Sequence, residues 1–306
     1  MLKYLVIFLL VFQARADQYG VVLAGSTHVF WKAVLKGIYS VQKEKVGVEI
    51  IDRSPMDDNE IVSEEQSQLK MISFFQKLKI KGLILAPIPL KGNKGKYNTN
   101  VPTVFVDRDS ADFSPPITVV ETNNFLAGKL AAQEVSKRLK KGASFAIFGL
   151  SNSVISTSDR EKGFKDEALR LGMKFHSHSY LGHGFREAEA RALILLNGVK
   201  NLDVIFTPNE STTRGVMLAL NTLPKNNIPK LVGFDFRHEF GDAMKKDVLT
   251  VLIVQDPFAM GKTALEKLIE HNSGLKVNKS ISIPPFVVTK ENIDSQQIQN
   301  KLQQFY

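Results

Sequence analysis

Short apolar runs of four to seven residues alternate with helix-period stretches along almost the whole chain. The runs at 18–24, 48–51, 82–86, 103–106 and 117–121 predict strands, as do 144–148, 174–180, 204–207, 230–234 and 249–255. Helices are predicted at 29–45, 59–77, 123–140, 156–171, 185–196, 209–223, 239–246 and 257–272. In the first of these Phe30, Val34, Ile38 and Val41 form one stripe. The stretch 87–102 is too rich in Gly, Pro and Asn to continue the pattern as a helix. Strands alternating with helices imply βαβ units and parallel sheets. About ten strands exceed one ordinary sheet, so the reading is α/β with two lobes. At 306 residues the chain is long enough for both.

The first sixteen residues stand outside this pattern. Met1-Leu2-Lys3 is a short basic start, and Tyr4 to Phe12 is apolar without a charge. Ala14-Arg15-Ala16 then places small residues at the −3 and −1 positions of a cleavage site before Asp17. This predicts a secretory signal peptide at 1–16 and, in a bacterium, a periplasmic product. Its removal takes away Lys3 and Arg15 from a formal charge of +9. The remaining excess is spread thinly, so no nucleic-acid partner is expected. Cysteine is absent, which excludes disulfides, zinc-thiolate and iron–sulfur sites and a cysteine nucleophile.

Open α/β sheets bind ligands where strands run out into loops. His28, Phe30 and Trp31 follow the first predicted strand, and Asp107 and Arg108 the fourth. Arg160 follows the sixth, Asn209 the eighth and Asp235 the ninth; Gln255 ends the tenth, and Phe185 opens a helix. Carboxylates, amides and guanidinium groups offer paired hydrogen-bonding atoms that match adjacent hydroxyls. Aromatic faces cover the apolar C–H faces of a sugar ring. Two carboxylates would repel an anion, so the set suits a neutral polyol. Each residue also has a plainer reading: Phe30, Trp31 and Phe185 as core, Asp235 as a helix cap, Arg108 and Arg160 as surface ion pairs.

The strings "GSTHVFWKAV" (25–34), "VPTVFVDRD" (101–109), "NNFLAGKLAA" (123–132) and "STSDREKGF" (156–164) occur in that order. "NESTTRG" (209–215), "LVGFD" (231–235), "VLIVQDPFAMG" (251–261) and "VTKENID" (288–294) follow. In order and spacing they resemble the periplasmic ribose- and galactose-type sugar-binding proteins, relatives of the lac-repressor ligand-binding core. The resemblance covers nearly all of 17–292. It implies two Rossmann-like lobes with parallel sheets joined by a three-strand hinge. The implied lobes are 17–121 plus 256–285, and 122–255 plus 286–306. By the same resemblance, aromatic contacts to a sugar fall on Phe30, Trp31 and Phe185. Polar contacts fall on Asp107, Arg108, Arg160, Asn209, Asp235 and Gln255, with His28 where ribose-type members often carry Asn. A second departure is Phe236-Arg237-His238 in place of small residues.

The function implied is an exported solute-binding protein that closes on a monosaccharide or polyol and delivers it to a membrane ABC importer. The alternative is a receptor that presents its ligand to a sensor kinase or chemoreceptor. A monomer without cofactor is expected. An enzyme is disfavoured: neither G-x-S-x-G nor H-E-x-x-H occurs. Gly261-Lys262-Thr263 lacks the earlier glycine of a phosphate-binding loop, since Asp256 stands there. His176, His178 and His183 lack an obvious fourth ligand, so no metal is expected. The export signal leaves no room for the helix-turn-helix of a repressor.

Overall fold

The computed structural model describes residues 16–26, 28–55, 61–90, 96–198, 201–224 and 228–306. Two six-stranded sheets with alternating helices form two lobes. The first lobe begins with β1 (Asp17–Val22), α1 (Val29–Glu44), β2 (Val48–Asp52) and α2 (Ile61–Gln76). It continues through β3 (Gly82–Leu85), β4 (Thr103–Val106) and β5 (Thr118–Glu121). The second lobe runs α3 (Asn124–Ser136), β6 (Ser144–Gly149), α4 (Ile155–Arg170), β7 (Lys174–Tyr180) and α5 (Phe185–Gly198). It goes on with β8 (Val204–Phe206), α6 (Glu210–Asn221), β9 (Lys230–Phe234), α7 (His238–Lys245) and β10 (Leu249–Val254). The chain then returns, and α8 (Pro257–Asn272) packs on α1 while β11 (Ser280–Ser282) joins the first sheet. It crosses once more to β12 (Phe286–Thr289) in the second sheet and ends in α9 (Gln296–Leu302) and one 3₁₀ turn.

The sheet orders are β11-β5-β4-β3-β1-β2 and β12-β10-β9-β8-β6-β7. The first five strands of each lobe therefore occupy equivalent places. The sixth differs: β11 is parallel to β5, whereas β12 is antiparallel to β10. Central strands such as Gly82–Leu85 and Thr103–Val106 are buried throughout, as parallel strands covered on both faces must be. β11, β12 and α9 have no counterpart among the predicted elements. Two are only three and four residues long, flanked by Pro284 and Pro285, and carry no periodicity of their own.

Helix packing in both lobes rests on paired glycines. A Cβ on Gly37 would lie 2.0 Å from the carbonyl oxygen of Phe258, and one on Gly261 2.0 Å from that of Val34. Gly128 and Gly163 repeat the pattern in α3 and α4, against the carbonyls of Arg160 and Phe125, both at 2.0 Å. The backbones thus touch directly, and this closeness sets the start of α4 against α3. Asp256 caps α8 by accepting from the Ala259 N–H at 3.0 Å, with Pro257 in the first turn.

Residues 1–15 of the expected leader, and 91–95 of the irregular connection, lie outside the described residues. Among the described residues, no helix is long and apolar enough to cross a membrane.

Candidate functional site

β4 and β9 hold the same place in their sheets, and each runs out into an aspartate with a left-handed backbone. Asp107 has φ 75° and Asp235 φ 64°. Their N–H groups still donate to the neighbouring strand, Asp107 to the Val120 carbonyl at 2.9 Å and Asp235 to that of Ile253 at 2.8 Å. Each chain is therefore held to its sheet and then turned sharply, a conformation that Asp tolerates better than most residues. The two carboxylates emerge at the carboxyl ends of the strands, one from each lobe.

Arg160 is the centre of the second lobe's half. It comes from α4 and is only 3% exposed. Its Nε donates to Asn124 Oδ1 at 2.8 Å, its Nη1 donates to the Pro208 carbonyl at 2.9 Å, and its guanidinium lies 4.0 Å over the Phe234 ring. Nη1 is 3.9 Å from Asp235 Oδ2. Gln255 Nε2 donates to the other oxygen, Asp235 Oδ1, at 2.8 Å. Burial pushes the Asp235 carboxyl up, and Arg160 and Gln255 oppose this in part. Burial likewise lowers the Arg160 guanidinium, against the attraction of Asp235 and Asp107.

In the first lobe Arg108 turns back on its neighbour. Its Nε and Nη2 both donate to Asp107 Oδ2, at 2.9 and 2.7 Å. Asp107 Oδ1 makes no hydrogen bond among the described residues and is left to accept. Asp107 and Arg108 act electrostatically on Arg160, and Asp107 and His28 on Asp235, across the cleft. Two carboxylates and two guanidinium groups thus face one another with no net charge.

His28 caps α1 by accepting from the Phe30 N–H at Nδ1, 3.3 Å. Its Nε2 reaches Glu210 Oε2 of the opposite lobe at 3.4 Å. Glu210 in turn pairs with Arg237 Nη1 at 3.3 Å, and Arg214 with Glu239 at 2.6 Å. Glu210 and Arg237 were not among the predicted site residues. Glu210 stands one place after Asn209, so searching just past the strands reaches it, but its partner lies 182 residues away.

The remaining predicted residues sit differently. Trp31 is 8% exposed and belongs to the first lobe's core with Val34, Ile38 and Val41. It takes the buried place on the α1 stripe, and Phe30, half-buried, meets it edge-on at 4.8 Å. Asn209 caps α6: its Oδ1 accepts from the Thr212 hydroxyl at 2.6 Å and its Nδ2 donates to Ser211 at 2.9 Å. Its amide is engaged within its own lobe. Phe185 opens α5 with the Arg214 guanidinium 3.8 Å over its ring. Asp235 does not cap α7; Arg237 holds that position without a side-chain bond. His178 pairs with the buried Glu161 at 2.9 Å, and the described residues contain no metal-ligand cluster.

Glu121 ends β5 where the chain leaves the first lobe. Burial, with Asp107, Asp109 and Asp159 nearby, pushes its carboxyl up to about 7. A carboxyl raised in the fold binds its proton more tightly there than in the unfolded chain. Stability therefore falls as pH rises from the ordinary carboxylate range through about 7, then levels off. Glu121→Gln is expected to stabilise the protein by about 1 kcal/mol at pH 8, roughly 2 °C in Tm, and not at pH 4. Melts of both proteins at the two pH values check this, and an equal gain at both would refute it.

Residues 19–276 match the model of the periplasmic binding protein domain family. The ribose import binding protein of Bacillus subtilis is 29% identical over 187 residues, 60% of this chain. The matched stretch spans 59% of that relative's length. The ribose import binding protein of Escherichia coli is 23% identical over 76% of this chain and 80% of its own. Among solved structures, the periplasmic component of an ABC-type sugar transport system from Hahella chejuensis superposes with a TM-score of 0.75. It is 27% identical and covers 89% of this chain and all of that one.

Proposed function

Because the chain belongs to the periplasmic binding protein family, we propose that it captures a monosaccharide or related polyol in the cleft between its lobes. The observation that carries this reading is the charge-balanced quartet of Asp107, Arg108, Arg160 and Asp235, two residues from each lobe. A site with no net charge and mostly ionised lining favours a neutral ligand rich in hydroxyls. Asp107 Oδ1 and Asp235 accept, Arg160 donates, and Gln255 orients Asp235. Charged groups hydrogen-bonded to hydroxyls contribute about 1.5–3 kcal/mol each once water is excluded. Phe30 is the half-buried aromatic beside His28 at the first lobe's edge and supplies a face for the ring's C–H groups.

Binding proceeds by closure about the three segments where the chain passes between sheets, near Glu121, Gln255 and Pro285. The ligand favours the shut form only through contacts made to both lobes there. The relatives' names, ribose import and sugar transport, support delivery to a membrane ABC importer and a periplasmic location.

A thermal-shift screen over pentoses, hexoses, polyols and purine nucleosides tests the reading. One neutral sugar at a hundred times its Kd is expected to stabilise the native protein by about 2.7 kcal/mol. If only anionic compounds raise the midpoint, the neutral-polyol reading is wrong.

A further inference from the structure

His28 and Glu210 stand on different lobes, 182 residues apart, with Nε2 and Oε2 at 3.4 Å. Glu210 is well buried and His28 half-buried. The imidazole's orientation is already set within the first lobe, because Nδ1 accepts from the Phe30 N–H as the cap of α1. In the neutral ring Nε2 therefore carries the proton and donates to Glu210. Glu210 is likewise prepared within the second lobe. Arg237 pairs with it at 3.3 Å; burial opposes its charge, and His28 across the cleft, followed by Arg237 and Arg214, holds the carboxyl below the usual range. The two halves come from different lobes and meet across the cleft.

We infer that His28 and Glu210 form a closure latch, a bond made only when the lobes meet, which raises the shut population and thereby the affinity for the ligand. The second half of this statement rests on the ligand-capture reading above; the first does not. When the lobes meet, the neutral imidazole donates its Nε2 proton to the Glu210 carboxylate, a charge-assisted bond. The cap on α1 is the same in both forms and does not enter the closure equilibrium. Arg237, Arg214 and Glu239 stay with Glu210 on the second lobe in both. Asp235, which also acts on His28 across the cleft, adds to the attraction.

The absence of cysteine makes the test direct. Val46 and Ile194 are fully and largely exposed, one on each lobe, and as Val46→Cys and Ile194→Cys carry a dye pair for single-molecule energy transfer. His28→Asn keeps a good helix cap while removing the ring that reaches Glu210. In the ligand-free protein, His28→Asn and Glu210→Gln are each expected to lower the shut-to-open ratio about three- to tenfold. The double variant should fall no further than the singles. An unchanged ratio, or a double variant equal to the product of the singles, would overturn the latch. D-ribose titrated into the same proteins separates the two claims. Weaker ribose binding in step with the ratio supports both. A shifted ratio with no binding of ribose or of any sugar in the screen above leaves the latch standing and counts against the sugar reading.

Discussion

Arg160→Ala is expected to lose the ligand and a substantial part of the fold's stability together. The side chain is buried, and its removal leaves Asn124 and the Pro208 carbonyl without their donor and uncovers the Phe234 ring. Above all it leaves Asp235 without its nearest cation. Breaking a fully buried charge pair from one side costs about 3–5 kcal/mol; with the Asp235 side chain 19% exposed, the loss expected here is about 2–3 kcal/mol. Affinity should fall by about a hundredfold or more, since the ligand loses a charged donor and the carboxylate opposite loses its partner. Asp235→Asn separates the two effects. Asn tolerates the left-handed backbone at φ 64°, where Ala is strained by about 1–2 kcal/mol. Burial already opposes the carboxylate's charge, so its neutralisation should change stability little. Affinity should still drop about tenfold, less than for Ala. Denaturant unfolding beside sugar titration distinguishes these outcomes; an Arg160→Ala protein that binds normally would remove this half of the site.

The second large effect concerns packing. Gly128→Val puts a branched side chain where a Cβ alone would stand 2.0 Å from the Arg160 carbonyl. The neighbour is backbone and cannot rotate away, so α3 and α4 must separate. The expected loss exceeds about 4 kcal/mol, the range reached by few single substitutions. Gly261→Val in the first lobe should behave alike, against the Val34 carbonyl. Gly241→Ala is the control. It lies in α7 with Ile293 3.4 Å from the added atom, an ordinary contact, and should gain about 0.5–1 kcal/mol from helix propensity. Urea unfolding of the three variants orders them, and a Gly128→Val protein of near-native midpoint would contradict the close crossing.

The alternation of periods was enough to read an α/β chain with two lobes, because helical and strand periodicity report directly on which side of an element is buried. β7 at Lys174–Tyr180 and α8 at Pro257–Asn272 fall on the residues predicted. β11 and β12 escaped because they are defined by the neighbours they pair with, β5 and β10, and not by any pattern of their own. Asp107, Arg160, Asp235 and Gln255, which meet in the candidate site, were singled out by their place after strands, a local property. The exchange of Phe30 and Trp31 on the α1 stripe was not, since one residue's rotation about a helix decides it. The partnership of His28 with Glu210 was less visible still. Each has a plain local role, one as a cap and the other as an acidic first-turn residue, and the cleft alone gives them a joint one.

The claim that a neutral sugar is enclosed between the lobes is tested most directly by calorimetric titration of the unmodified protein with the sugar that raises its melting point most. One site per chain, a Kd of about 1 μM or tighter, and a negative heat-capacity change are expected, the last because closure buries apolar surface. Absence of heat with every neutral sugar, or weak binding with a stoichiometry well above one, would contradict it.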